Sequence, residues 1–150
     1  MESLNNNPYS EAIEKYGMYV GTTEGTSMMP MIRSGVDTVV LKKPKGKIKK
    51  YDCVLYYRKS SGKYVLHRVI KVKDENLVIC GDNQWQKEYG IKEEDIIAVL
   101  DGFYKKEKYI TIDKFSYKLY YHFRVFFRPF RMIKSKVRSF LSKIKHKIFK

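Results

Sequence analysis

Residues 51–73 read YDCVLYYRKSSGKYVLHRVIKVK, two runs dense in β-branched and aromatic side chains (51–58 and 63–73) joined by Lys59, Ser60, Ser61 and Gly62. Val, Ile and Tyr suit a pleated, half-buried surface, and a Ser-Ser-Gly linker supplies the backbone freedom of a reversal, so the stretch predicts a hairpin with its loop in water. Similar runs lie at 18–21, 36–41, 77–80, 96–103 and 108–112, bounded by Gly, Pro, Asp and Lys clusters, with a further break at Asp74, Glu75 and Asn76. Together they predict a mainly β, mostly antiparallel domain over 18–113 with no internal repeat and no long internal helix.

Two helical regions flank this domain. In the N-terminal segment, 1–17, Pro8 and Ser10 open a short helix through Glu11, Ile13, Glu14 and Lys15; Ser10 is placed to cap it and Gly17 to end it. On the other side Asp113 is the expected cap of a helix in which Phe115, Leu119, Phe123 and Phe126 or Phe127 recur at helical spacing, as far as Pro129. Beyond the proline, Phe130, Ile133, Val137, Phe140, Leu141, Ile144 and Ile148 fall on one face, while Arg131, Lys134, Arg138 and Lys145 cover the rest. Residues 114–150 therefore read as a basic tail of amphipathic helices.

The chain is long enough to bury a core, and 43% hydrophobic residues exclude a disordered, collagenous or disulfide-scaffold protein. Its net charge of +15 points to an anionic partner: a phospholipid surface, nucleic acid or an acidic peptide. The excess is uneven. Residues 114–150 hold 12 Lys or Arg and no acid, against 19 basic and 16 acidic side chains in residues 1–113. A cationic amphipathic helix lies naturally in a phospholipid interface, so the tail is expected to meet an anionic membrane surface. Its 10 aromatic residues also suit stacking on bases, but nucleic acid is the less favoured partner.

No run of about 18 apolar residues is present, since the most hydrophobic stretch, 117–127, is interrupted by Lys118, His122 and Arg124. The first residues lack the basic and apolar regions of a secretory signal. The expected address is the cytoplasm, with peripheral membrane association. Cys53 and Cys80 sit in strand-like runs and read as buried free thiols rather than a disulfide. With no zinc-type Cys spacing and no Gly-rich phosphate loop, neither a metal nor a cofactor is expected, and His122 and His146 are assigned to the cationic helices.

Three short patterns carry chemistry: Gly25, Thr26, Ser27, Met28, Met29, Pro30; then Leu66, His67, Arg68, Val69; then Gly81, Asp82, Asn83. Singly, each has an ordinary structural reading, as a turn serine, a core histidine sharing a strand face with Val65 and Val69, and a turn aspartate. Jointly they supply a nucleophile, a general base and a carboxylate. A serine hydroxyl attacks a carbonyl near neutral pH only if a base takes its proton, a neutral imidazole can be that base, and a carboxylate on the other ring nitrogen fixes its tautomer.

These residues resemble the type I signal peptidases and, through them, the superfamily shared with LexA-type repressor peptidases. Ser27, Met28, Met29, Pro30 is similar to the family's Ser-Met-x-Pro motif. His67, Arg68, Val69 and Gly81, Asp82, Asn83 are similar to the endoplasmic-reticulum-type branch, which uses histidine as base. The branch has a second acid six residues after the first, and that position is Glu88 here, so either Asp82 or Glu88 orients His67. The acids of the family's two Gly-Asp turns are kept as Asp37 and Asp52, with Tyr51 in place of the second glycine. The resemblance spans about 18–103. It implies a signal-peptidase and LexA-like β core, a serine endopeptidase acting on leader or signal-type peptides, an extended peptide substrate, Met28, Met29 and Pro30 at the cleft, and the Ser27 N–H in the oxyanion hole. The family's usual N-terminal membrane anchor is not seen. The alternatives are a non-catalytic or self-cleaving LexA-like regulatory module and a protein that binds nucleic acid through its tail.

Overall fold

A computed structural model of the chain describes residues 7–133 and Val137. Helix α1 (Pro8–Tyr16) is followed by β1 (Tyr19–Thr22), β2 (Thr38–Lys42), β3 (Cys53–Arg58), β4 (Lys63–Lys73), β5 (Asn76–Cys80), β6 (Glu88–Lys92), a 3-10 turn (Glu93–Asp95), β7 (Ile96–Lys105), β8 (Lys108–Thr111) and α2 (Phe115–Phe126). Helical backbone resumes over 128–133. The strands form one antiparallel sheet in the order β1-β2-β7-β3-β4-β5-β6, with β8 on β7. The long β7 organises it. One edge of β7 pairs with β2, while the other is shared between β3, through Val54↔Val99 and Leu55↔Ala98, and β8, through Phe103↔Ile110.

The 51–73 hairpin forms as expected. Its register sets Arg58 against Lys63, Val54 against His67 and Cys53 against Arg68, and the turn closes when Ser61 and Gly62 N–H donate to the Arg58 carbonyl at 3.1 and 2.9 Å. β3 is buried on both faces. Cys53 and Leu55 join Met28, Leu41, Leu100 and Phe103 in one core, and Val54 and Tyr56 join Ile48, Val69, Leu77 and Ile79 in the other. Successive strand residues face opposite sides, so two apolar layers enclose this central hairpin.

Several local expectations are corrected. Asn7, not Ser10, caps α1: its Oδ1 accepts from the Tyr9 and Ser10 N–H groups at 3.0 Å each, and Pro8 at the first helical position fixes the start. Ser10 lies within the first turn, while Gly17 ends the helix in the left-handed conformation, as expected. The residue preceding α2 is Lys114, with no side-chain cap; Asp113 pairs instead with Lys118 at 3.4 Å. Strand β6 was not foreseen. Its sequence, EYGIK, is short, mostly exposed and interrupted by Gly90 at φ 75°, and it is a strand because β5 pairs with it through Ile79↔Glu88 and Leu77↔Ile91. Of the apolar face expected beyond Pro129, Phe140, Leu141, Ile144 and Ile148 lie outside the described residues, as do Lys134, Arg138, Lys145 and His146.

Helix α2 docks by the face opposite its apolar stripe. Tyr117 is buried, whereas Phe115, Leu119, Phe123 and Phe126 of the predicted apolar stripe point away from the sheet, with Phe115 78% exposed. Tyr51 helps to hold the helix: its ring stacks on Tyr121 at 4.8 Å and meets His122 edge-on at 4.5 Å. Tyr51 also has φ 81°, a conformation that favours glycine. The side chain at this position thus trades backbone strain for ring contacts. Replacing Tyr51 by Ala keeps the strain and removes the rings, whereas Gly removes both. Tyr51→Gly is expected to be more stable than Tyr51→Ala by about 1 kcal/mol in chemical denaturation; equal stabilities would show that the left-handed backbone carries no strain.

Candidate active site

Ser27 lies in the turn between β1 and β2, a segment anchored from below. Met28 and Ile32 are buried in the first core, Met29 N–H donates to the Thr26 carbonyl at 3.2 Å, and Ile32 N–H donates to the Met28 carbonyl at 3.1 Å. The far end of the segment is closed by Asp37, whose carboxylate takes the Arg33 N–H at 2.9 Å and the Arg33 guanidinium at 2.7 Å. Burial would raise the Asp37 pKa, but the bonds from Arg33 hold it below the usual carboxylate range. Ser27 itself is half-buried at a groove of about 830 Å³ that also takes its walls from Met28, Tyr64, Leu66, His67 and Gln84.

His67 is buried in β4, with Nδ1 2.9 Å from Glu88 Oε1. Glu88 opens β6, and Arg58, at the end of β3, clasps it with Nε 2.7 Å from Oε2 and a terminal nitrogen 2.5 Å from Oε1. Burial would raise the Glu88 pKa, but the hydrogen bonds from His67 and Arg58 outweigh it and hold the carboxyl at about 2. An ionised Glu88 can only accept, so Nδ1 must donate, and the neutral imidazole is left with its lone pair on Nε2. That nitrogen lies beside Gly81. A Cβ built on Gly81 would stand 3.0 Å from His67 Nε2 and 2.9 Å from the Ser27 carbonyl oxygen, so the two sides meet across a space that only glycine leaves open. No hydrogen bond joins the Ser27 hydroxyl to the imidazole in the described structure. Such bonds are often long in free enzymes and tighten around substrate.

The two candidate acids thus separate. Glu88 contacts His67, whereas both Asp82 oxygens are taken by Arg68, from Nε at 2.8 Å and a terminal nitrogen at 2.7 Å, in a pair closed to solvent. Of the two acids the sequence left open, Glu88 is the one that meets His67, while Asp82 is held by Arg68 and positions the turn. Next to it, Asn83 N–H donates to the Ser27 carbonyl at 2.6 Å and its side-chain amide to the Thr26 carbonyl at 3.2 Å, which draws the Gly-Asp-Asn turn onto the serine turn. Met28 lines the groove, as expected. Met29 and Pro30 do not: their carbonyls accept from Arg124 at 3.3 Å and Lys105 at 3.2 Å, outside the groove. Asp52 likewise stays away from the site, accepting from Lys49 N–H at 2.8 Å.

Sequence reading missed Arg58, Gln84 and Arg124. Arg58 reads in the sequence only as the end of the 51–58 run, although the register sets it on the His67 side of β3, four residues from the partner Val54. Nothing in the sequence marks Arg124, which reaches from α2 to the Asp82 carbonyl at 2.6 Å and the Met29 carbonyl at 3.3 Å. Cys53 and Cys80 are free and buried, and burial pushes the Cys53 thiol up to about 12, too high for a nucleophile near neutral pH. Among the described residues no group of three His, Cys, Asp or Glu is arranged to hold a metal ion.

No family model, curated protein or solved structure matches this chain. The chemistry must therefore be read from the residues. A half-buried hydroxyl, an imidazole with a fixed tautomer and an ionised carboxylate beside a groove can hold and move a proton during attack on a carbonyl.

Because the Glu88 pKa is lower in the folded state than its ordinary 4.5, its contribution to stability is present above about pH 4.5 and is lost as pH falls toward 2. Wild type is expected to exceed Glu88→Gln in unfolding free energy by on the order of 2 kcal/mol at pH 7, with the gap narrowing steadily below pH 4.5 toward pH 2. A gap independent of pH, measured by urea denaturation across this range, would contradict the ionised Glu88.

Proposed function

We propose that the chain is a serine endopeptidase of the kind its motifs resemble, a signal-peptidase-like enzyme that cleaves leader or signal-type peptides. One observation carries the reading: His67 is held by an ionised Glu88 on Nδ1, its Nε2 and the Ser27 carbonyl both lie against Gly81, and Ser27 and His67 line one groove. In the proposed mechanism Ser27 Oγ attacks the scissile carbonyl as His67 Nε2 takes its proton, and Glu88 stabilises the imidazolium. The C–N bond breaks as His67 returns the proton to the leaving amine. Water then hydrolyses the acyl ester by the same route. The motif resemblance supports the Ser27 N–H as an oxyanion donor.

The groove supports an extended peptide as substrate. Its walls come from β1 on one side and the start of β4 on the other, and β1 ends the sheet, so its outer edge offers unpaired backbone groups. The proposed place of action is a membrane surface met by 114–150 from the cytoplasmic side. No helix among the described residues is long and apolar enough to cross a membrane, and the exposed aromatic stripe of α2 supports peripheral contact. The second reading is a peptide-binding module without catalysis, favoured by the missing Ser27 to His67 hydrogen bond.

Cleavage of a mixed peptide library in the presence of anionic liposomes, read by mass spectrometry, separates the two. Ser27→Ala and His67→Ala are expected to abolish cuts after small residues. Glu88→Gln lowers kcat on the order of 10³-fold with little change in KM, because the wrong tautomer is then allowed. Identical products from wild type and Ser27→Ala would overturn the peptidase reading, and retained peptide affinity would then favour the binding module.

A further inference from the structure

Outside the tail, the chain has a second basic concentration. Residues 42–50, KKPKGKIKK, hold six lysines in nine positions and no acid. The loop leaves β2 and enters β3 under firm constraint. Ile48 is buried in the second core and its N–H donates to Glu93 Oε1; Lys49 N–H donates to Asp52 Oδ2 at 2.8 Å, and Tyr51 N–H donates to the Val69 carbonyl at 2.7 Å. With its apolar residue turned inward, the loop exposes Lys43, Lys45, Lys47, Lys49 and Lys50. Preorganised charges of this kind bind an anion without first paying to order the backbone.

A cleft of about 290 Å³ lies between this loop and the first turns of α2. Its charged lining is Lys45, Lys47, Lys49, Lys50 and Lys118 against Asp52 and Asp113. Asp113 pairs with Lys118, and Asp52, which accepts the Lys49 backbone N–H, offsets one further lysine, so the lining keeps three positive charges in excess. Beside the cleft runs the outer stripe of α2. At about 100° per residue, Phe115, Leu119, Phe123 and Phe126 fall within one narrow arc opposite the docked Tyr117 and Tyr121, and Lys118 lies on the flank between stripe and cleft.

We propose that this cleft takes the phosphate of an anionic glycerophospholipid headgroup while the Phe115, Leu119, Phe123 and Phe126 stripe enters the interface, so that the β domain itself rests on the bilayer. This rests on the membrane reading of the tail and is independent of the peptidase reading. Charge selects the occupant. A second copy of the chain would bring two strongly cationic surfaces together, whereas an anionic bilayer answers the apolar stripe and the lysine cleft at once.

The test is co-sedimentation of the full chain with vesicles of phosphatidylcholine, with and without 30% phosphatidylglycerol, at fixed ionic strength. Lysine side chains near such a surface contribute about fivefold each to partitioning. Joint substitution of Lys45, Lys47, Lys49 and Lys50 by Gln is expected to lower binding to the anionic vesicles more than tenfold, and Phe115→Ser with Leu119→Ser and Phe123→Ser to lower it likewise. All seven positions are exposed, and unchanged circular dichroism and melting would exclude unfolding as the cause. Amides at 45–50 and 112–119 should gain hydrogen-exchange protection on vesicles. Wild-type binding with an unchanged lysine variant overturns the cleft alone and leaves the tail reading standing. Absent wild-type binding overturns both. Tighter binding to a single-stranded DNA 20-mer than to vesicles assigns the lysines to nucleic acid, and a dimer lost only in the stripe variant assigns the stripe to a second copy.

Discussion

Arg68 and Asp82 are both closed to water, with side-chain exposures of 1% and 2%, and the rest of the site hangs from their pairing. Burial would pull the Arg68 pKa down, but the adjacent Asp82 raises it well above the ordinary value. The other terminal nitrogen of Arg68 donates to the Tyr51 carbonyl at 2.9 Å and the Tyr117 hydroxyl at 3.1 Å. One guanidinium therefore binds β4, the 81–83 turn, the approach to β3 and helix α2. Removing one partner of such a pair leaves an uncompensated buried charge, at a typical cost of about 3–5 kcal/mol. The pair fixes arrangement. It sets the Gly81 turn beside the strand that carries His67, and Asn83 then draws the serine turn to the same point.

The pairing also explains the assignment of the two acids. His67 and Arg68 are adjacent in a strand, and adjacent strand residues face opposite sides of the sheet. A single carboxylate cannot serve both. Asp82 follows β5 directly and meets Arg68 on the Tyr117 side; Glu88, opposite Ile79 in the ladder, meets His67 on the Tyr56 side. Glutamate at 88 bridges Arg58 and His67 at once.

Much of this was legible in the sequence, and the exceptions have physical causes. The strands around 51–73 could be read because their residues are buried on both faces, so apolar runs and turn chemistry agreed. β6 could not, because EYGIK is a strand only by virtue of its partner. Cap positions failed where an earlier residue could start the helix: Asn7, followed by Pro8, opens it one turn before Ser10. Ser27, His67 and Glu88 could be named as candidates from spacing and resemblance. Which acid met the histidine depended on strand faces and on Arg58, which holds Glu88 from four residues along β3 from the histidine's partner Val54, a relation that no local pattern reports.

Helix α2 carries the last step. In most globular proteins an amphipathic helix buries its apolar stripe. This one docks instead through Tyr117, Tyr121 and Arg124, with Arg68 lying 5.3 Å from both tyrosine rings, and turns phenylalanines outward. Its attachment is largely polar and is made to the backbone of the serine and Gly-Asp-Asn turns, Arg124 to the Met29 and Asp82 carbonyls, and from the following helical segment Arg131 reaches Asp82 again at 2.5 Å. Burial and the neighbouring Arg124 charge pull the Arg131 pKa down. An exposed aromatic stripe is costly in water, and one helix diameter, about 10 Å, separates it from those carbonyls. Covering the outer face removes that cost and favours the same docked helix whose inner face holds the serine turn and the Gly-Asp-Asn turn together. The inverted amphipathicity of α2 and the geometry of the site are therefore two sides of one constraint.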